Sequence, residues 1–179
     1  MIGILQQWDW DILYAIVGLR AFSFLDMLMP LVSGLGDAGF IWIAAGIALL
    51  CTRRYRKVGV ALLLALAVGV LVGNVALKNI IARPRPCWLQ PEMLVLAENP
   101  ADYSFPSGHT LSSVIAATVL IRGEKRFAWC AAPLAALIAF SRLYLFVHFP
   151  SDILGGAVLG GAIGWLSFEA VNKLKKNKE

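Results

Sequence analysis

An all-α integral-membrane bundle of five or six helices is the fold class this sequence predicts, and three observations carry it. Apolar side chains make up 59% of the 179 residues and charged ones 15%, against roughly 25% charged and 45–50% apolar in soluble domains. The apolar residues fall into runs near the roughly 20 residues that a helix needs to cross a bilayer. The basic residues collect where those runs end, as they do in cytoplasmic membrane loops.

The clearest predicted spans are Val58–Leu77, Phe127–Val147 and Ile153–Ala170. Ala38–Cys51 is shorter but almost wholly apolar, and Thr110–Ile121 completes a span only if Ser107–His109 form its first turn. The N-terminal stretch is irregular. Arg20 interrupts Ile12–Leu19, and Asp26 and Pro30 break Leu25–Leu35. That pattern fits one irregular span, or two interfacial helices with Trp8 and Trp10 at headgroup level. Gly34-Leu35-Gly36-Asp37 reads as a turn into the next helix. The chain therefore divides into an N-terminal segment (1–36), a helical core (38–170) and a basic tail (171–179) of one domain.

Eleven of the sixteen Lys and Arg residues lie at Arg53, Arg54, Arg56, Lys57, Arg122, Lys125, Arg126, Lys173, Lys175, Lys176 and Lys178. These clusters occupy alternate connections and hence one face. The opposite face receives the 78–109 and 142–152 connections and looks outward by the positive-inside bias. The clusters are short and lack interleaved aromatics, which argues against a nucleic-acid surface. Cys51, Cys87 and Cys130 show no paired or metal-ligand spacing. The N-terminus carries Asp9 and Asp11 and no basic n-region, so no cleaved signal peptide is expected. The tryptophans read mostly as interface anchors, and Gly155, Gly156, Gly160, Gly161 and Gly164 as a packing face within the bundle.

The outward face holds the chemistry. Charge at a membrane helix end is costly and usually functional, and Lys78 stands seven positions before Arg85. At 100° per residue, seven steps return to within about 20° of the starting face, whereas Arg83 lies about 140° away. If the helix persists that far, Lys78 and Arg85 converge, and Pro84 and Pro86 then end it. Pro106-Ser107-Gly108-His109 precedes an apolar helical run, so its backbone N–H groups and the Ser107 hydroxyl offer an anion site. Arg142 adds a planar donor suited to phosphate oxygens. His148 precedes Pro150, and Asp152 follows near enough to accept from one imidazole nitrogen and leave the other nucleophilic. The set has one histidine backed by a carboxylate and a second, His109, without one. The long connection from Cys87 to Phe105, with Glu92, Glu98 and Asp102, reads as a functional element.

Lys78 with Arg85-Pro86, Pro106-Ser107-Gly108-His109, and Ser141-Arg142 with His148 and Asp152 together resemble the three signature motifs of the type 2 phosphatidic acid phosphatase superfamily, in order and at the family's spacings. No motif position departs from the pattern. The resemblance implies a helical bundle of the kind shared with vanadium haloperoxidases and a metal-independent, cofactor-free lipid phosphatase. It implies His148 as the nucleophile that becomes a phosphohistidine, Asp152 orienting it and His109 as general acid. Lys78, Arg85, Ser107, Gly108 and Arg142 would bind phosphate. Expected partners are membrane lipids and a lipid phosphate substrate: undecaprenyl diphosphate, phosphatidylglycerol phosphate or phosphatidic acid, met at the outer leaflet of the cell membrane. Two other functions were weighed. A vanadate-dependent haloperoxidase is opposed by the membrane composition. A non-catalytic lipid-binding or transport protein is opposed by the two histidines, since binding needs cations but no nucleophile or acid.

Overall fold

The computed structural model describes residues 2–21, 23–96 and 100–176. Glu98 and Lys178, and the side chains of Lys175 and Lys176, lie outside the described residues. All described secondary structure is helical: α1 Ile2–Val17, α2 Ser23–Leu35, α3 Phe40–Cys51, α4 Arg56–Gly69, α5 Lys78–Ile81, α6 Pro86–Leu89, α7 Gly108–Gly123, α8 Ala128–Tyr144 and α9 Pro150–Lys176. A π-helical stretch, Val70–Leu77, joins α4 to α5. Short 3-10 turns stand at Gly18–Ala21, Asp37–Gly39 and Lys125–Phe127.

Among the described residues, three helical stretches are long and apolar enough to cross a bilayer, and a fourth is if α2 and α3, bent by 43° at their junction, count as one. Helix α7 begins at Gly108 with Ser107 as its N-cap, the Ser107 hydroxyl accepting from the Thr110 N–H at 3.4 Å. The sequence required this first turn for a span there, and it forms.

Helix α9 packs on α7 through its glycines. A side chain at Gly156, Gly160 or Gly164 would stand 2.9, 2.8 or 3.0 Å from the carbonyls of Ser107, Leu111 and Ile115. Close backbone approach of this kind drives helix association in lipid, where apolar burial between helices contributes little. Gly156, Gly160 and Gly164 thus serve packing within the bundle, as expected, while Gly161 faces open space. The bundle core joins α3, α4, α7, α8 and α9 around Leu62, Leu66, Ile115, Val119, Ala135 and Ile138. A second cluster gathers Leu13 of α1 and Met29 of α2 against Tyr144–Phe149.

Several expectations are corrected here. The turn after α2 starts at Gly36, because Gly34 stays helical, and it is closed by left-handed backbone at Ala38 (φ 50°) and Gly39 (φ 70°). Trp42 is buried rather than interfacial, its indole N–H donating to Ser113 Oγ at 2.9 Å. Such a bond in a membrane contributes about 1 kcal/mol. Trp10 packs edge-on against Phe149, at 4.9 Å between centroids, whereas Trp8 and Trp129 are exposed. Cys87 is buried.

The helix bearing Lys78 does not persist to Arg85. It ends at Ile81, with Ala82 in the left-handed region (φ 48°, ψ 40°) and Arg85 extended (φ −81°, ψ 154°). A residue before proline is driven out of the helical region, so Arg83-Pro84-Arg85-Pro86 forms an extended segment. Pro86 opens α6.

Candidate active site

A cavity of about 1140 Å³ lies among α2, α3, α4, the π-helical stretch, α5, α7, the end of α8 and the connections that follow α5 and α8. Lys78, Arg85, Gly108, His109, Arg142 and His148 line it. Ser107 and Asp152, both fully buried, stand behind that wall. All eight residues singled out in the sequence therefore assemble in one region, six on the cavity surface and two beneath it.

Arg85 is 2% exposed and fully engaged. Its Nε donates to the Asp102 carbonyl at 2.6 Å, and its terminal nitrogens donate to Val147 O at 2.8 Å and Asp102 Oδ1 at 2.7 Å. One of them also stands 3.1 Å from His148 Nε2. Arginine only donates, so this contact makes Nε2 the acceptor and leaves the ring proton on Nδ1. Helical phase pointed to Arg85, which does line the cavity, but the continued helix it assumed does not form. The extended backbone, not a continued helix, brings Arg85 to the site.

Behind His148, Nδ1 lies 3.5 Å from Asp152 Oδ2 and 3.4 Å from Ser104 Oγ. Both distances sit at the edge of hydrogen bonding. Ser104 tightens the arrangement by donating to Asp152 Oδ2 at 2.5 Å, and the Phe149 N–H donates to the same oxygen at 2.8 Å. His148 sits in a connection between spans and is 1% exposed. Burial, with the charges of Arg85 and Arg142 acting against the pull of Asp152, holds its pKa down to about 3. The imidazole is therefore neutral at working pH, with its Nε2 lone pair accepting from Arg85 at the cavity wall. A nucleophile needs that state.

His109, expected to lack a carboxylate, has one: Nε2 stands 2.8 Å from Asp37 Oδ1. The turn between α2 and α3 is shaped around this ring, since a side chain at Gly36 would meet His109 Cδ2 at 2.8 Å. Arg142 donates to Ser33 Oγ of α2, and its Nε is buried without a hydrogen-bond partner. Such a donor costs about 1–3 kcal/mol unless a ligand satisfies it.

Asp102 closes the mouth. Its carboxylate pairs with Lys78 Nζ and with Arg85 at 2.7 Å. Burial pushes its pKa up, but the hydrogen bond and charge of Lys78, with Arg85 beside it, hold it at about 2. An anion therefore already rests on two of the cations. The sequence placed Asp102 in a long functional connection but did not place it in the site. Asn74, set in the π-helical stretch, was also missed, although an amide in an apolar run is itself a signal. It lines the cavity, and its side chain leaves no room for a Cβ at Gly108. π-Helical turns of this kind are frequent at functional sites. Ser104 and Asp37 had no signal beyond their residue type. Among the described residues, no three His, Cys, Asp or Glu side chains form a metal-binding group.

The sequence pattern of the PAP2 superfamily matches residues 58–176. The chain belongs to the PAP2 superfamily. An undecaprenyl-diphosphatase of Sulfolobus acidocaldarius is 31% identical, over 92% of this chain and 80% of that protein. Two solved structures share the fold of this PAP2 chain. Aquifex aeolicus LpxE superposes with a TM-score of 0.78 at 30% identity, over 89% of this chain and 93% of that one. The transmembrane PAP2 type phosphatidylglycerolphosphate phosphatase of Bacillus subtilis gives 0.75 at 27% identity, over 98% and 88%. The matched PAP2 region holds every motif residue, from Lys78 to Asp152.

Proposed function

We propose that this PAP2 chain is a lipid phosphatase working through a phosphohistidine. The single observation that carries the reading is His148 Nε2, held as an unprotonated acceptor 3.1 Å from Arg85 in a cavity that Lys78 and Arg142 also line. Phosphate displaces the Asp102 carboxylate from Lys78 and Arg85, and its oxygens take up the Arg142 donors and the N–H groups at the start of α7. Nε2 attacks phosphorus and forms an N–P bond. The P–O bond to the lipid breaks, and His109 delivers a proton to the departing oxygen. His109 then takes a proton from water, whose oxygen attacks phosphorus, breaks the N–P bond and frees phosphate. Most of the barrier lowering in phosphoryl transfer comes from positioning and charge stabilisation, which the three cations supply.

A lipid substrate is supported by the apolar part of the cavity lining. Ile43, Leu63, Leu66, Val70, Leu111 and Ile115 line it together with the charged residues, a surface suited to an acyl or prenyl chain. The names of the relatives support undecaprenyl diphosphate and phosphatidylglycerol phosphate first, with phosphatidic acid third. The outward position of the site rests on the charge map, with the basic connections 53–57 and 122–126 at the opposite end of the helices. In this reading the protein is a multi-pass cell-membrane enzyme acting at the outer leaflet.

The direct test is phosphate release from the three lipids by protein purified in detergent with EDTA present. Release from at least one of them is expected, and no release from any of them would overturn the reading. The outward site is tested with an impermeant thiol reagent on intact cells, using Glu92→Cys in a Cys51→Ser, Cys130→Ser background. Glu92 is exposed, so labelling only after lysis would reverse the topology.

A further inference from the structure

The sequence contains Arg-Pro twice, and the reaction described above uses only Arg85. Arg83 turns away from the cavity and into a buried network. One terminal nitrogen donates to Asp152 Oδ1 at 2.6 Å and to Ser151 Oγ at 2.7 Å. The other donates to Asp9 Oδ2 at 2.6 Å. Its guanidinium lies 4.2 Å over the Phe149 ring, a cation–π arrangement. Asp9, on α1, also accepts from the Ser151 N–H at 2.8 Å and Ser151 Oγ at 2.6 Å. The side chains of Asp9 and Asp152 are 2% and 0% exposed, and that of Arg83 19%.

Two buried carboxylates held by a partly buried arginine are expensive, and such groups are kept where their arrangement matters. Here the arrangement fixes both oxygens of one carboxylate. Oδ2 takes Ser104 and the Phe149 N–H and faces the His148 ring, while Oδ1 is held by Arg83. If Oδ1 lost its donor, only the two hydrogen bonds on Oδ2 would resist rotation about the Cβ–Cγ bond, and any such rotation draws Oδ2 away from Nδ1. Neither Arg83 nor Asp9 lines the cavity, so neither touches substrate.

We propose that Arg83, anchored by Asp9 of α1, is a positioning residue for the nucleophile, holding Asp152 so that its Oδ2 faces His148 Nδ1 and Nε2 faces phosphorus. This rests on the reading of His148 as the nucleophile. It makes α1 part of the reaction machinery, since the far end of the relay, from Asp9 through Arg83 and Asp152 to His148, belongs to that helix. Because the effect passes through the orientation of His148 and not through phosphate contacts, it acts on kcat and leaves KM alone.

The test compares wild type, Arg83→Gln, Arg83→Lys, Asp9→Asn and His148→Ala in detergent on one lipid phosphate, with kcat, KM and Tm measured for each. Arg83→Gln is expected to lose ~10–100-fold in kcat, the usual cost of removing a group that orients an active imidazole, with KM within about twofold. Arg83→Lys keeps a cation for Oδ1 and should recover part of that loss, although one ammonium cannot span both carboxylates. Asp9→Asn should fall between wild type and Arg83→Gln. Wild-type kcat in Arg83→Gln, or a loss matched by a lower Tm with nothing recovered in Arg83→Lys, would make the network a staple for α1 and overturn the proposal. If Arg83→Gln does not fold, Asp9→Asn decides: lower kcat at constant KM supports the relay, and unchanged kcat refutes it. His148→Ala separates the two levels. An active His148→Ala removes the nucleophile itself, whereas an inactive one beside a fully active Arg83→Gln removes only the role of Arg83.

Discussion

Two histidine–carboxylate pairs face the same cavity and are built in opposite ways. His148 and Asp152 are four residues apart, their side chains 1% and 0% exposed, and the carboxylate takes hydrogen bonds from three other residues. His109 and Asp37 are 72 residues apart, with side chains 18% and 69% exposed and one contact of 2.8 Å. The first pair has one orientation available because every alternative breaks buried hydrogen bonds. The second sits at the cavity wall with room to exchange a partner. Under the proposed function, immobility suits an atom that must attack in line, and a less confined imidazole suits a proton donor. Environment more than residue type would then separate the two roles.

The sharpest way to break that comparison is to remove each imidazole in turn. His148→Ala is expected to lose on the order of 10³-fold or more in kcat, and radiolabelled phosphate should no longer be trapped on the quenched protein. His109→Ala is expected to lose ~10²–10³-fold on a lipid phosphate, the range of general acid catalysis. It should lose far less on a lipid analogue with a nitrophenolate leaving group, which departs without a proton. Equal losses on both substrates would show that His109 binds rather than protonates.

Smaller effects sharpen the contrast. Asp37→Asn should cost about 3–10-fold, less than removing the imidazole that it supports. The cost should vanish in a His109→Ala background, because residues acting through one another are not additive. Additive losses would place Asp37 on some other path. The last test is spectroscopic. Burial holds His148 at about 3, so its imidazole stays neutral from pH 8 to pH 5 and would protonate only as the pH fell towards 3. The chain has two histidines, so ¹⁵N-histidine spectra with His109→Ala as the assignment control should show one ring that does not titrate over that range. A midpoint near 6 would mean the His148 site is open to water.

Much of this was legible in the residues themselves. Span positions follow from apolar run length, and the start of α7 from a serine N-cap before an apolar run. The grouping of Lys78, Arg85, His109, Arg142 and His148 on one cavity follows from three motifs that each lie at a helix end. Where the sequence reading failed, it failed over backbone or partner choice. Arg85 reached the site by an extended Arg-Pro segment after Ala82 turned left-handed, which phase arithmetic along a helix does not describe. Trp42 looked interfacial by type, but the bundle closed over it.

Taken alone, the sequence determined the solvent, the helices and the candidate site residues. These depend on composition, on periodicity and on neighbours a few positions apart, and in that sense His148 with Asp152 is a local pair. Only the tertiary structure decided which carboxylate each cation and imidazole would meet: Asp37 for His109, Asp102 for Lys78 and Arg85, and Asp9 with Asp152 for Arg83. The physical reason is that a buried charge takes whatever counter-charge the packing brings within about 3 Å. Distance along the chain, 72 residues for His109 and 74 for Arg83 with Asp9, says nothing about that encounter.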